Sequence, residues 1–380
     1  MIIAIVGLAA SPFVSLPYCR FGCPTGALLS FARSPGSSDR WSPRDWAALA
    51  VALFSFLTVA AVRAWPVRPV EPALVGLQGN ALGTIWAVKV RDEVADPAAL
   101  EKLVAREFDW AESMTSQWRT NTDLAEFNRA ASTNATPMPW PVLTLARWAA
   151  EISGATGGAY DITAAPLLAL WGWEPGGPAL KEPSLAEVAA ARAKVGWRKL
   201  ELLDGMIRKQ TPELQITLTS IAQGWSIDHV VQLLNRRGYS NVLVKVGGAL
   251  RVSGTWQIGL ESPRRTCSLT NEAVATSSAS RPPPPAWPNR PVQLIDPRTG
   301  FPVQHSTIAV SVRHPDCAHA QAWATALNIL GRDSGLPLAD RLGLAAQFVV
   351  QGPGGALSVT GTRAWNRNEP PQGTASGAPR

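Results

Sequence analysis

The sequence predicts an α+β fold for its larger, C-terminal part, preceded by two short transmembrane helices. Three observations carry that expectation. Apolar residues recur at helical spacing in some stretches and alternate with a period of two in others, in irregular order along the chain. No strand followed by Gly-x-Gly-x-x-Gly and a helix occurs, so a doubly wound dinucleotide fold is not indicated. The first 70 residues differ in kind from the rest, with two almost unbroken apolar runs.

The 380 residues suffice for a sizeable core and about two or three domains. Apolar residues make up 46% and charged residues 17%, a globular balance tilted towards a membrane protein. The net charge of +7 is spread over scattered arginines with no basic run interleaved with aromatics, which gives no support to a nucleic-acid partner. The four cysteines, Cys19, Cys23, Cys267 and Cys317, are too few for a disulfide framework.

Residues 2–16 and 46–62 are the apolar runs, near the short end of the about 17–25 residues that span a bilayer. Trp41, Trp46 and Trp65 stand where interfacial aromatics belong. A cleaved signal peptide fits the first run less well, because it lacks a basic leading region. Arg20, Arg33, Arg40 and Arg44 outnumber Asp39 and Asp45 between the runs, which places that loop in the cytoplasm and the globular part outside the inner membrane. Within the loop, Cys19-x-x-x-Cys23-Pro24 offers two of the four thiolates that an iron–sulfur cluster normally takes. Residues 66–75 read as a Pro/Val-rich linker, 76–362 as the folded domain, and 363–380 as a disordered tail.

Within the domain, Leu82-Gly-Thr-Ile-Trp86 starts an alternating strand. Leu100, Leu103, Val104 and Phe108 mark one face of a helix over 98–112, and a second helix follows over 141–156. A short helix is predicted over 185–194, with strands around 199–203 and 214–218. Further on come a helix over 222–237 and strands over 242–246 and 256–260. A proline loop at 281–291 leads to a strand over 306–313, a helix over 318–330 and a strand over 345–351. Gln293-Leu-Ile-Asp-Pro-Arg-Thr-Gly-Phe-Pro302 reads as a strand running into a forced turn, in which Asp296 accepts backbone N–H bonds.

Six words occur in order over residues 82–351: Leu82-Gly-Thr-x-Trp86; Gly158-Ala-Tyr-Asp-Ile-Thr163 with Trp171-Gly172; Ile221-Ala-Gln-Gly-Trp-Ser-Ile-Asp228; Val246-Gly-Gly-Ala-Leu250; Ala275-Thr-Ser277 with Ile295-Asp-Pro-Arg-Thr-Gly300; and Ala322-Trp-Ala-Thr-Ala-Leu327. Together they resemble the ApbE family, the FAD:protein FMN transferases. The resemblance implies a membrane-tethered enzyme that moves FMN from FAD to a Thr or Ser hydroxyl of an acceptor flavoprotein. AMP is released and magnesium assists. It also implies that Leu82, Trp118, Ala159, Tyr160, Asp161, Thr217, Gln223 and Ile295 contact FAD, with Trp118, Tyr160 and the Gly157-Gly158 turn as walls. Thr325 and Asp296 are then the catalytic positions, and Ser220, Gln321 and Thr325 the magnesium ligands. Attack on phosphorus calls for a hard cation with oxygen ligands, and the i, i+4 spacing of 321 and 325 puts both on one helix face. The segment around Cys19 resembles the Cys-x-x-x-Cys-Pro segments of NosR-like membrane polyferredoxins, which implies a remnant of such a protein, or a polyferredoxin-type complex as partner.

The chain departs from the family pattern at several positions. Gln321 and Thr217 stand where Asp is expected, Gln293 where His is common, and Ser278 where Gly is usual. Two readings therefore stand side by side: an active transferase, and a catalytically weak FAD-binding partner of a membrane electron-transfer complex. Two further motifs read as bland. His314-x-x-Cys317-x-His319 carries soft-metal ligand types but lacks a fourth ligand nearby, so it reads as a solvated polar loop. Ser153-Gly-Ala-Thr156 looks like an acceptor motif for flavin. With Ala150 in place of the expected acid, it reads as a helix C-cap.

Overall fold

A computed structural model describes residues 74–173, 182–260, 265–278 and 294–367. Both apolar runs with their proposed topology, the Cys19/Cys23 loop, the linker up to residue 73, the proline loop and the tail beyond 367 lie outside the described residues. Among the described residues, no helix is long and apolar enough to cross a membrane.

The chain runs through β1 (Val75–Ala81), β2 (Thr84–Val90), α1 (Pro97–Thr115), α2 (Asp123–Arg129), β3 (Thr136–Pro137), α3 (Trp140–Ala155), α4 (Ala165–Leu170) and α5 (Leu185–Ala193). It continues through β4 (Leu200–Leu202), β5 (Met206–Lys209), α6 (Thr219–Arg236), β6 (Val242–Val246), β7 (Ala249–Ser253), β8 (Thr255–Leu260), β9 (Arg265–Thr270) and β10 (Ala273–Ser278). The last elements are β11 (Ile295–Asp296), β12 (Phe301–Pro302), β13 (Thr307–His314), α7 (Cys317–Leu342), β14 (Ala345–Gln351), β15 (Leu357–Gly361) and α8 (Arg363–Arg367).

The main sheet has eight strands in the order β1-β2-β6-β7-β10-β13-β14-β15. All its pairings are antiparallel, which segregates the helices from a common ladder and makes the fold α+β. Period-two alternation sorts the side chains onto two faces. Val242, Val244 and Val246 of β6 pack with Phe108 of α1 and with Ile227, Val230 and Val231 of α6. Leu250 and Val252 of β7 point the other way, into a cluster with Trp256, Leu269 and Trp365. One face thus carries helices and the other is covered by the β8–β9 ribbon and α8.

Several sequence expectations shift. β1 begins at Val75, the last position assigned to the linker, and pairs along its length with β2. The turn between them holds Leu82 at φ 53° and Gly83 at φ 71°, the left-handed pair of a tight hairpin. Residues 214–218 bury Leu214, Ile216 and Leu218 as a strand would, but they join no sheet. Ile216 instead donates its N–H to Asn128 Oδ1, and its carbonyl accepts from Asn128 Nδ2, each at 2.8 Å. The helix expected to end at 330 does break there, because Gly331 leaves helical geometry (φ 70°, ψ 171°), and what the sequence reading lacks is a second helical stretch that runs on to Leu342 and is counted with it as α7. The tail expected from 363 begins as α8, because Trp365 is fully buried against the sheet and Thr362 Oγ1 accepts its N–H. One tryptophan outweighs a composition averaged over the polar residues behind it.

Candidate active site

Helices α6 and α7 build the site by packing against each other near their N-termini. Their close approach depends on Gly224. A methyl group there would sit 2.6 Å from the Cys317 carbonyl carbon and 2.7 Å from Ala318 N. Asp228, one turn further on, fixes the start of α7. Its Oδ1 accepts the Cys317 N–H at 2.8 Å and its Oδ2 the Ala318 N–H at 3.0 Å. Arg251 Nη1 on β7 donates to the same Oδ1 at 2.6 Å. Burial pushes the Asp228 carboxyl up, and the Arg251 charge with the two N–H donors opposes that. Asp228 closes one of the six sequence words, yet the sequence assigns it no role. A carboxylate reaching across to a second helix needs the tertiary fold to be seen.

Five of the expected positions meet in one hydrogen-bonded group. Gln321 Oε1 accepts the Gly224 N–H at 2.8 Å, while Gln321 Nε2 donates to the Thr219 carbonyl at 3.3 Å and to Gln223 Oε1 at 3.2 Å. Gln223 Nε2 donates to the Leu82 carbonyl at 3.3 Å, which ties the β1–β2 turn to α6. Thr325 Oγ1 donates back to the Gln321 carbonyl at 3.1 Å, as the i, i+4 spacing requires. Thr217 is joined through Gln117, whose Nε2 lies 2.6 Å from Thr217 Oγ1 and 2.9 Å from Thr219 Oγ1. Gln117 carried no signal in the sequence.

Tyr160 and Ser220 form a neighbouring pair. Ser220 Oγ donates to the Tyr160 hydroxyl at 2.9 Å, and burial pushes that phenol above its usual range, so it stays neutral. Ala159 is fully buried. Asp161 faces its own turn. Its Oδ1 accepts from Thr163 N at 2.7 Å and Thr163 Oγ1 at 2.6 Å, and its Oδ2 accepts from Trp197 N at 2.9 Å. Burial raises its pKa against those donors.

The expected residues of the Ile295-to-Gly300 word belong to a second group. Ile295 is buried with Leu167, Trp171 and Val188. Asp296 Oδ2 takes Arg298 Nη2 at 2.7 Å, and its carbonyl accepts the Gly300 N–H at 2.7 Å, which closes the turn. Beside it lies a pocket of about 380 Å³, lined by Gly158, Asp161, Arg192, Trp197 and Arg298 among others. The stretch from Gly158 to Thr163 runs along both groups, with Tyr160 in one and Asp161 in the other. Trp118, expected as a wall, stands 54% exposed.

The magnesium expectation can be tested on the donor set. Ser220, Gln321 and Thr325 supply neutral oxygens only, and the one side-chain oxygen of Gln321 is already an acceptor for Gly224. Magnesium is usually bound through one or two carboxylates. These residues do not fit a magnesium ion held by the protein itself.

A family model described as "ApbE family" matches residues 82–348, more than half of the chain. The chain is 29% identical over 304 residues to the FAD:protein FMN transferase of Klebsiella pneumoniae (strain 342), covering 75% of this chain and 87% of that one. It is 29% identical over 323 residues to the FAD:protein FMN transferase of Vibrio cholerae, covering 81% and 94%. Among solved structures, a mutant form of the flavin transferase ApbE from Vibrio cholerae superposes with a TM-score of 0.73 at 28% identity, over 78% of this chain and 99% of that one. The apo form of the Pseudomonas stutzeri flavinyl transferase ApbE gives 0.71 at 29% identity, over 78% and 98%. The family match begins at residue 82, so it gives no support to the polyferredoxin resemblance around Cys19.

Proposed function

The chain belongs to the ApbE family, an FAD:protein FMN transferase enzyme family, and from that premise we propose that it flavinylates an acceptor redox protein. FAD is the substrate. The hydroxyl oxygen of a Thr or Ser on the acceptor attacks the FMN phosphorus, the pyrophosphate P–O bond breaks, the hydroxyl proton is lost, and AMP leaves. The supporting observation is the hydrogen-bonded group that gathers Leu82, Thr217, Gln223, Gln321 and Thr325 from distant parts of the chain into one place. The wider reading places residues 1–65 in the inner membrane, with the domain outside it. It rests on the two apolar runs and the arginine bias between them.

The purified full-length chain, incubated with FAD, magnesium and a candidate acceptor domain, is expected to add the mass of one FMN to the acceptor. Free AMP should appear in equal amount. An acceptor of unchanged mass in the presence of bound FAD decides for a second reading, a catalytically weak FAD-binding partner. Gln321 favours that second reading, because its amide leaves the site without the expected carboxylate.

A further inference from the structure

The turn from β13 into α7 carries a group of side chains that the flavin chemistry does not use. His314 ends β13, Asp316 precedes α7, and His319 lies in the first turn of the helix. One nitrogen of each imidazole and one Asp316 oxygen all lie within 4.8 Å of one another. The two rings stack at 4.9 Å, and Trp148 of α3 covers His319 at 4.5 Å. His319 Nδ1 is shut off from solvent and has no hydrogen-bond partner, yet it lies 3.8 Å from Asp316 Oδ2. His314 Nδ1 is also 3.8 Å from Asp316 Oδ2, and it accepts the Asp316 N–H at 2.9 Å, a bond that a metal ion on Nδ1 would displace.

We propose that His314, Asp316 and His319 bind a first-row divalent transition metal, zinc in the first instance, at a site separate from the flavin group. Such ions take imidazole nitrogen and carboxylate oxygen at about 2.0–2.2 Å, so an ion between two donors 3.8 Å apart draws them together by only a few tenths of an ångström. A buried imidazole nitrogen with no partner is costly, and coordination removes that cost. The charges permit it. Arg251 Nη1 is 3.9 Å from Asp316 Oδ1 but is held at 2.6 Å by Asp228, so the two carboxylates and one guanidinium leave a net negative charge for a cation. Three protein ligands leave a further coordination position for water. The ligand set also differs from the one the spacing suggested. Cys317 is fully buried and its Sγ lies 3.6 Å from the Leu250 carbonyl, so Asp316 replaces it, and the two histidines are stacked and half-buried rather than solvated. His319 and Gln321 are two residues apart, about 200° around a helix, and so face opposite sides of α7. Gln321 meets α6 while His319 meets α3.

The test uses the full-length chain without a polyhistidine tag, stripped with a chelator. Zinc chloride titrated by calorimetry should bind at one ion per chain, persist in excess magnesium and raise Tm. Cobalt(II) in its place should give visible absorption bands of a nitrogen- and oxygen-bound ion. His319→Gln and His314→Gln should each weaken zinc uptake at least tenfold, whereas His229→Gln, which removes a histidine of α6 outside the group, should leave it unchanged. The metal-free Tm of each variant reports whether it folds, and Asp316→Asn replaces any that does not. Absence of zinc uptake by the wild type, uptake that survives all three ligand variants, or uptake lost in His229→Gln overturns the proposal.

Discussion

Gln321→Asp tests the reasoning about the active site most directly. In the wild type the Gln321 amide faces two acceptors, the Thr219 carbonyl and Gln223 Oε1, with its NH2 group between them. An aspartate removes both donors and is one methylene shorter, so two hydrogen bonds worth about 0.5–1.5 kcal/mol each are lost. The metal-free variant should therefore be less stable by about 1–3 kcal/mol. The carboxylate, the Thr219 carbonyl and Gln223 Oε1 would then be acceptors converging on one point, which is an arrangement a hard cation satisfies. A charge-assisted contact of about 1.5–3 kcal/mol corresponds to about 10- to 150-fold tighter use of magnesium. The assay follows FMN transfer to the acceptor, or FAD binding where transfer is silent, against magnesium concentration in both proteins, with Tm measured with and without the ion. The half-saturating magnesium concentration should fall by that factor, and magnesium should restore the lost Tm. Equal half-saturation in wild type and variant would refute the argument, because the amide would then not be what keeps the cation out.

Three further outcomes follow from the packing. Gly224→Ala places a methyl against the α7 backbone and should destabilise the fold by about 3 kcal/mol in urea unfolding, more than an exposed helical Gly→Ala could. Trp365→Ala empties a fully buried site on the sheet and should cost about 3–5 kcal/mol by the same measurement. A loss under 1 kcal/mol would mean that α8 is not part of the folded unit. Burial lowers the pKa of His229 below its ordinary value of 6.5, against the opposing pull of Glu107 at 2.8 Å. The unfolded chain then binds the proton more readily. Stability contributed by the neutral ring is present above pH 6.5 and is lost as pH falls from there through the folded pKa. Unfolding free energies at about pH 7 and about pH 5 should differ less in His229→Gln than in the wild type, and an unchanged difference would remove His229 as the source.

What could be read in advance divides along a physical line. Periodicity is local, so the helix faces, β6, β14 and the pairing of 321 with 325 on one face of α7 were all legible from spacing alone. Asp296 is a local case too, since its Oδ1 accepts the Arg298 backbone N–H at 2.9 Å within the same turn. Residues 214–218 show where local reading fails. An apolar pattern reports which side chains are buried, but a strand also needs a neighbouring strand, and here the Asn128 side chain and the Ile162 carbonyl take the backbone bonds of Ile216 and Thr217 instead. Roles carried across the fold were invisible for the same reason. Asp228 acts on a helix 89 residues away, and Gln117 on threonines 100 and 102 residues away.

The departure at 321 shows how the two kinds of information combine. Sequence alone registers a lost charge and predicts a weakened cation. The structure adds that the replacement is an amide whose donor end points at acceptors and whose acceptor end takes a backbone N–H from the facing helix. A side chain that merely lost its charge would forgo both contacts across the α6–α7 seam, to the Thr219 carbonyl and from the Gly224 N–H, each worth about 0.5–1.5 kcal/mol beyond the bonds these groups make within α6. Glutamine answers both at once, which an alanine or a leucine could not. Position 321 in this chain is therefore held by the stability of the helix pair, whatever it contributes to turnover. Replacing it with alanine should lower Tm even with FAD and magnesium absent.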